Sequence, residues 1–358
     1  MKQTGLTEKA QTVLGAIDAD SLGVTLPHEH LLIDATIWCV EPAEATEKAL
    51  VHQPVCLENL WWIRTHSWGY NIDDSQLLDE QVAIKEALLY KLAGGNTIVE
   101  LSNIGLARDP LGLARIARAT GLNIIMGAGY YIGPTHPAEL ANKSEEEIAQ
   151  RIVRDIIVGV GDTGVKAGII GEIGCSTPLQ EGERKVLRAS AIAQRHTGAA
   201  INIHNEYEKQ ALEITEILSD AGADLSRTVL SHVAGWGDSP ASLPKLLEAG
   251  CYLEYDFFGQ DVVSLSVPLE GRVIDMPSDA QSINSIIQLI DEGYLNQILV
   301  SHDVGLKHLL TTYGGFGYAH ILRDVVPVMR MKGMSDEQIH TLLVDNPKRF
   351  LSFAPVKD

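Results

Sequence analysis

The chain has 358 residues, 45% of them hydrophobic and 21% charged, the balance of an ordinary soluble globular protein. Acidic residues outnumber basic ones by 47 to 28, for a formal net charge of −19. That excludes nucleic acid and anionic membranes as partners, since either needs a concentrated positive field, and leaves a small molecule as the expected partner. No apolar run has the length to span a bilayer, and "MKQTGLTEKAQTVLG" at the start carries no secretory h-region, so a cytoplasmic protein is expected. The four cysteines, Cys39, Cys56, Cys175 and Cys251, are scattered with no CxxC and read as reduced thiols.

In chain order, short β-branched runs fall at 23–30, 96–102, 123–131, 167–174, 199–205, 228–235, 251–259 and 297–305. Amphipathic segments separate most of them, "EEEIAQRIVRDIIVGV" and "GERKVLRASAIAQRH" among them. Ser144 with Glu147, and Ser335 with Gln338, have capping-box spacing and mark helix starts. Alternating strand and helix predicts parallel strands joined by right-handed crossovers. Eight such units fit a (β/α)8 TIM barrel, with an open doubly wound sheet as the alternative. Residues 1–22 precede the first strand as a short appendage, a long loop insertion over 31–95 follows it, and no linker divides the chain, so 1–358 is expected to be a single domain.

The first strand ends in "GVTLPHEHLLID". Side chains alternate along a strand, so His28 and His30 point one way and Glu29 the other. Two imidazoles converging on one face build a core poorly and hold a metal well. At the C-terminal ends of later strands, where a barrel keeps its active site, stand Glu172, His204, His232 and Asp303. Each alone reads as a surface or paired polar residue; together, four histidines and two carboxylates suit divalent metals bound through nitrogen and oxygen. Six ligands exceed the need of one tetrahedral zinc and fit two ions sharing a bridging carboxylate. The expected cofactors are therefore two divalent metal ions, Zn²⁺ first, with Mn²⁺, Co²⁺ and Fe²⁺ as alternatives. Metal-generated hydroxide would attack a polarised C=O or P=O, with Asp303 as the catalytic proton acceptor. The barrel is preferred because a closed ring brings strands far apart in sequence to one centre. Asp303 is expected to face inward and His302 to lie behind it, while His52, His66, His136 and His196 read as surface or loop residues.

The motifs "PHEH", "GIIGEIG", "INIH", "VLSH", "LVSHD" and "YGGFGY" resemble the phosphotriesterase family of the amidohydrolase superfamily over nearly the whole chain, nearest to its phosphotriesterase-related branch. The resemblance implies a binuclear metal hydrolase, with His28, His30 and Asp303 on the more buried ion, His204 and His232 on the more exposed one, and Glu172 bridging. The founding members bridge with a carboxylated lysine; here Glu172 stands there, and Lys166 precedes the strand at the wrong end of the barrel. Glutamate keeps the metal pair but weakens a transfer of phosphotriester specificity. The expected substrate is a carboxylic ester, lactone or N-acyl amide, with a phosphotriester or phosphoester (aryldialkylphosphatase-like activity) as the alternative and a non-catalytic ligand-binding barrel as the third reading.

Weaker signals concern the substrate. The five tryptophans, Trp38, Trp61, Trp62, Trp68 and Trp236, all fall in loops after strands and would cluster at the mouth as a lid or wall, or else pack the insertion or form a homodimer interface. Tyr130 and Tyr131 end the third strand and could reach a metal-bound oxygen. Lys307 and Arg272 are the candidate cations for an acidic group on the substrate. "GAGYYIG" lacks GxGxxG spacing and is not a dinucleotide site. Contiguous Ser301-His302-Asp303 cannot form a triad, because neighbouring strand side chains diverge.

Overall fold

A computed structural model describes residues 5–66, 68–205, 207–237, 241–260, 265–267 and 272–356, with the side chains of 265–267, 272 and 273 excepted. Eight parallel strands form one sheet: β1 (Thr25–Glu29), β2 (Thr97–Glu100), β3 (Asn123–Ala128), β4 (Ile169–Gly174), β5 (Ile201–His204), β6 (Thr228–Leu230), β7 (Tyr252–Tyr255) and β8 (Ile298–Val300). Each sits inside a run expected from the sequence and is shorter, because the ladder stops where the strand ends turn into loops. The strands pair in chain order from β1 to β8. The ring closes between the last and the first: the Asp303 amide donates to the His28 carbonyl at 3.2 Å, and the Ser301 hydroxyl donates to the same carbonyl at 2.7 Å. This is the (β/α)8 barrel.

Helices cover the outside, including Pro110–Thr120, Glu145–Ile157, Glu181–Thr197, Glu208–Asp220 and Asp279–Asp291. The capping boxes at Ser144 and Ser335 form as the spacing predicts. Among the described residues no helix is long and apolar enough to cross a membrane. A layer of Val99, Leu101, Ile125, Ile169, Val229, Tyr252 and Leu299 fills the lower barrel. The N-terminal appendage is a hairpin, Lys9–Thr12 with Gly15–Asp18, that plugs this end: Ala10 joins the layer, and the Gln11 amide donates to the Ile156 and Ala167 carbonyls.

Two register slips decide which side chains reach the upper barrel. Between Ile170 and Ile173 of β4, three residue steps match two of β5, from Ile201 to Ile203. The extra residue re-aims the side chains beyond it. Ile169 packs inside the barrel, so unbroken alternation would turn Glu172 outward; the slip turns it in. A matching slip on β1, between Leu26 and Glu29 against Ile98 and Glu100, falls at Pro27-His28.

Candidate metal centre

His28, His30, Glu172, His204, His232 and Asp303 converge at the C-terminal ends of their strands, all buried. Glu172 is the hub. Its Oε1 lies 3.4 Å from His30 Nε2, and its Oε2 lies 3.0, 3.5 and 3.8 Å from His204 Nδ1, His28 Nε2 and His232 Nε2. Asp303 Oδ1 lies 3.2 Å from His30 Nε2 and 3.6 Å from His28 Nε2, and its Oδ2 lies 3.9 Å from His232 Nδ1. Backbone conformation brings in one of these side chains. Val229 faces inward, so alternation would send His232 outward, but His232 takes a left-handed φ of +64° and turns back. Asp303 is left-handed too, at φ +52°. Such conformations cost non-glycine residues of order 1–3 kcal/mol and persist where surrounding bonds enforce them.

Those bonds come from carboxylates that the sequence reading passed over. Glu29 points away from the histidines, as alternation requires, and its wholly buried carboxylate accepts from Ser301 Oγ (2.8 Å), His302 N (3.0 Å), His302 Nδ1 (2.6 Å) and Val304 N (3.0 Å). The four donors bracket Asp303. His302 thus lies behind the barrel wall, where it was expected, and its Nε2 accepts the Ile321 amide. On β7 and just beyond, Glu254 and Asp256 support the histidines from below. Glu254 Oε2 accepts from His28 Nδ1 at 3.1 Å, Asn202 Nδ2 at 2.9 Å and Ser231 Oγ at 2.8 Å. Asp256 accepts the His232 amide and lies 3.1 Å from His232 Nδ1. A carboxylate on the far nitrogen of an imidazole fixes its tautomer and raises its basicity, the usual outer support of a metal-binding histidine. The signal was in "YLEYDFF", two acids at strand spacing on the face of Tyr252.

The electrostatics favour cations. Burial works against the charge on His30, yet Asp303 and Glu172 hold its imidazole up at about 9. Burial likewise opposes charge on His28 and His232, and neighbouring carboxylates, Asp256 foremost, raise both well above the usual histidine range. Burial alone would raise Glu172, but His204, His232 and His28 hold it well below the carboxylate range. The cluster therefore demands positive charge. His28 Nε2 is completely buried and makes no hydrogen bond among the described residues, while its other nitrogen is engaged by Glu254. An imidazole oriented by a carboxylate, with its second nitrogen facing two more, is built to donate to a metal. The donor set fits two divalent ions: His28, His30 and Glu172 form one close group, His28, His232 and Asp303 another, and Glu172, His204 and His232 a third, overlapping at His28, Glu172 and His232.

Above the cluster lies a small cavity lined by His30, Glu172, His204, Asp303, Ile33, Ala35, Trp38, Trp68, Leu106, Tyr131 and Phe257. Tyr131 OH stands 3.4 Å from His204 Nε2 and accepts Trp38 Nε1–H at 3.2 Å. Tyr130 does not line this cavity; its ring packs against His136. Lys307 is turned away, its Nζ 2.6 Å from Asp73 in the insertion. The Arg272 side chain lies outside the described residues. The tryptophans divide rather than cluster. Trp38 and Trp68 wall the cavity, Trp62 is buried inside the insertion against His66, Trp61 is 67% exposed, and Trp236 donates to the Asn205 carbonyl. An insertion this long needs a core of its own, and Trp62 supplies part of it.

A parallel eight-stranded barrel with this cluster at its C-terminal mouth defines a metal-dependent hydrolase. Residues 8–351 match the model of the Phosphotriesterase family, and the chain belongs to that family. It is 41% identical over 352 residues to N-acetyltaurine hydrolase of Homo sapiens, covering 98% of this chain and 99% of that protein. Among solved structures it is similar to a resiniferatoxin-binding protein from Rhodobacter sphaeroides, with a TM-score of 0.93 and 35% identity over 98% of this chain and 97% of that one. It is also similar to the phosphotriesterase homology protein of Escherichia coli, complexed with phosphate in its active site: TM-score 0.75, 28% identity, 92% and 99% coverage.

Proposed function

We propose that the chain hydrolyses the amide of a small N-acyl amino sulfonate or amino acid, or a related carboxylic ester or lactone, with two divalent ions, Zn²⁺ foremost, held by His28, His30, Glu172, His204, His232 and Asp303. The observation that carries the reading is Glu172, whose two oxygens face different histidines, Oε1 toward His30 and Oε2 toward His204. That is the placement a bridging carboxylate needs. The carbonyl preference is supported by full-length similarity to N-acetyltaurine hydrolases. Phosphotriester hydrolysis is the less favoured alternative. The four cysteines are unpaired, which suits a reducing, cytoplasmic compartment.

Bound there, the ions would supply a Lewis acid for the carbonyl and lower the pKa of water to about 7. The remaining work falls to the chain. Asp303, pinned through Glu29, has its carboxylate beside His30 and facing the cavity, where it accepts a proton from the attacking water and returns it to the leaving amine. Tyr131, its hydroxyl accepting from the Trp38 indole, donates a hydrogen bond to the substrate carbonyl oxygen. Ile33, Ala35, Leu106 and Phe257 keep bulk water from the reacting centre. The test is turnover of N-acyl taurines, N-acyl amino acids, lactones and aryl esters against phosphomono-, di- and triesters. Asp303→Asn should keep the metal, measured by elemental analysis, and lose kcat by 100-fold or more. Unchanged turnover in that variant, or turnover confined to phosphorus substrates, would overturn the reading.

A further inference from the structure

The outer wall of the cavity is Trp68, a residue of the insertion after β1. Its backbone is left-handed, φ +56°, which is costly for a bulky side chain and needs support from its surroundings. Two contacts supply it. A Cβ built on Gly305 would lie 2.7 Å from Trp68 Cη2, 3.3 Å from Cζ2 and 3.6 Å from His30 Cδ2, so the edge of the indole fills the place a side chain would take. Gln260 Oε1 receives Trp68 Nε1–H at 3.5 Å, while its Nε2 donates to the His302 carbonyl at 2.8 Å and the Asp303 carbonyl at 3.0 Å. The indole is thereby tethered to the same backbone that carries Asp303.

With the ring seated, the free volume above the ligand cluster is about 20 Å³, room for one group the size of a water molecule or a methyl. The wall opposite is Ile33, Ala35, Trp38 and Leu106, and among the described residues no lysine or arginine lines the cavity. Among the described residues an acidic tail has no cationic partner there, so the uncharged acyl end of the substrate is the end that fits.

We propose that Trp68 sets the length of the acyl chain: seated on Gly305 it admits an acetyl-sized group and rejects longer ones. The proposal rests on the hydrolytic reading above. A methylene that a pocket cannot place costs about 10-fold or more in kcat/KM. Each added carbon must lift the indole from Gly305 and strain its link to Gln260. Gly305 shares the role, since its missing Cβ makes the seat.

The test compares acetyl, propionyl, butyryl and hexanoyl taurines, with matched aryl esters, on the metal-loaded wild type, Trp68→Ala and Gly305→Ala. Calorimetric binding of acetate and hexanoate gives a second readout. The wild type should fall at least 10-fold in kcat/KM from acetyl to butyryl. Trp68→Ala should bring the series within about threefold, losing on acetyl mainly through KM, and should bind hexanoate at least 10-fold tighter. Gly305→Ala should shift the profile the same way with the indole still present. A wild type that cleaves acetyl and hexanoyl compounds equally, or two folded variants that keep the wild-type profile, would overturn the role of Trp68 and leave the hydrolytic reading standing. A wild type that cleaves nothing in either series would instead overturn both.

Discussion

Glu100 offers a test of how tightly the barrel wall is sealed behind the site. It ends β2 on the outward face, between strand and helices, and is completely buried with no hydrogen bond to either carboxyl oxygen among the described residues. Burial pushes its carboxyl from 4.5 up to about 7, only partly offset by the charge on His30 and the nearby polar groups of Ser102 and Leu31. At roughly 1.4 kcal/mol per pH unit, that displacement corresponds to about 3 kcal/mol. The sign is set by linkage: the folded state holds this proton more tightly than the unfolded chain does. The carboxyl imposes no ionisation cost below about pH 4.5. The cost grows as pH rises through about 7, and the full 3 kcal/mol falls on the folded state above that. Glutamine keeps the shape and cannot ionise. Glu100→Gln should therefore be more stable than wild type by less than about 1 kcal/mol near pH 5 and by about 3 kcal/mol at pH 8, the latter about 4 °C for a chain of this length. Urea unfolding of both proteins at the two pH values, with equal metal content, measures the difference directly. A difference that stays constant from pH 5 to pH 8 would refute the reasoning, because it would mean that Glu100 is ionised at no cost in the folded state.

Three further outcomes are expected. Glu29→Gln turns an N–H toward donors that now meet a carboxylate, so Asp303 loses its bracket. Stability should fall by about 2–4 kcal/mol, with reduced metal occupancy by elemental analysis, and unchanged melting and occupancy would remove Glu29 from the support of the site. Glu254→Gln weakens the hold on His28 Nδ1 and should cost about 10–100-fold in metal affinity, measured by competition with a chelating dye, while the fold survives. Stripping the metal leaves buried carboxylates and histidines facing one another. Dialysis against chelator should lower the melting temperature and added Zn²⁺ or Mn²⁺ should restore it, by the equivalent of about 4 kcal/mol at a thousandfold excess over Kd. Identical scans with and without metal would count against the cluster as a metal site.

The fold was legible because its signal is repeated: eight β-branched runs and their intervening helical periods agree on one topology, and an error at one strand would not change it. The His28-Glu29-His30 pattern was legible because plain alternation applies, sending two imidazoles inward and Glu29 to the other face. Alternation also suffices for Asp303, in step with Leu299 inside the barrel. It fails for Glu172 and His232, which face the site through a register slip and a left-handed residue, respectively. Neither leaves a local sequence signal, so position at a strand end marked those two residues without the reason that they face inward. Glu254 and Asp256 were missed although their spacing is plain, because acids on a strand ordinarily face solvent and only the histidines above them make their burial tolerable. The tryptophans divide between the two readings open to them, Trp38 and Trp68 at the mouth and Trp62 in the insertion, because loop position tells that a ring is near the mouth, not whether the insertion needs it for its own core.

These departures share a location. In the lower barrel, Val99, Leu101, Ile125, Ile169, Val229 and Leu299 obey alternation without exception. One layer up, where the strands end, the slips in β1 and β4 and the left-handed residue at His232 break it. A regular ring of strands presents one inward side chain per strand per two residues, too sparse to put six donors within reach of two ions. Crowding them requires strands to spend an extra residue or reverse a dihedral at the rim, and bonds from Glu29 and Asp256 hold the strained main chain in place. The rule-abiding layer supplies the rigidity that makes those exceptions tolerable. Substitutions in the lower layer should therefore act on stability alone, whereas substitutions among Glu29, Glu254 and Asp256 should lower metal occupancy as well.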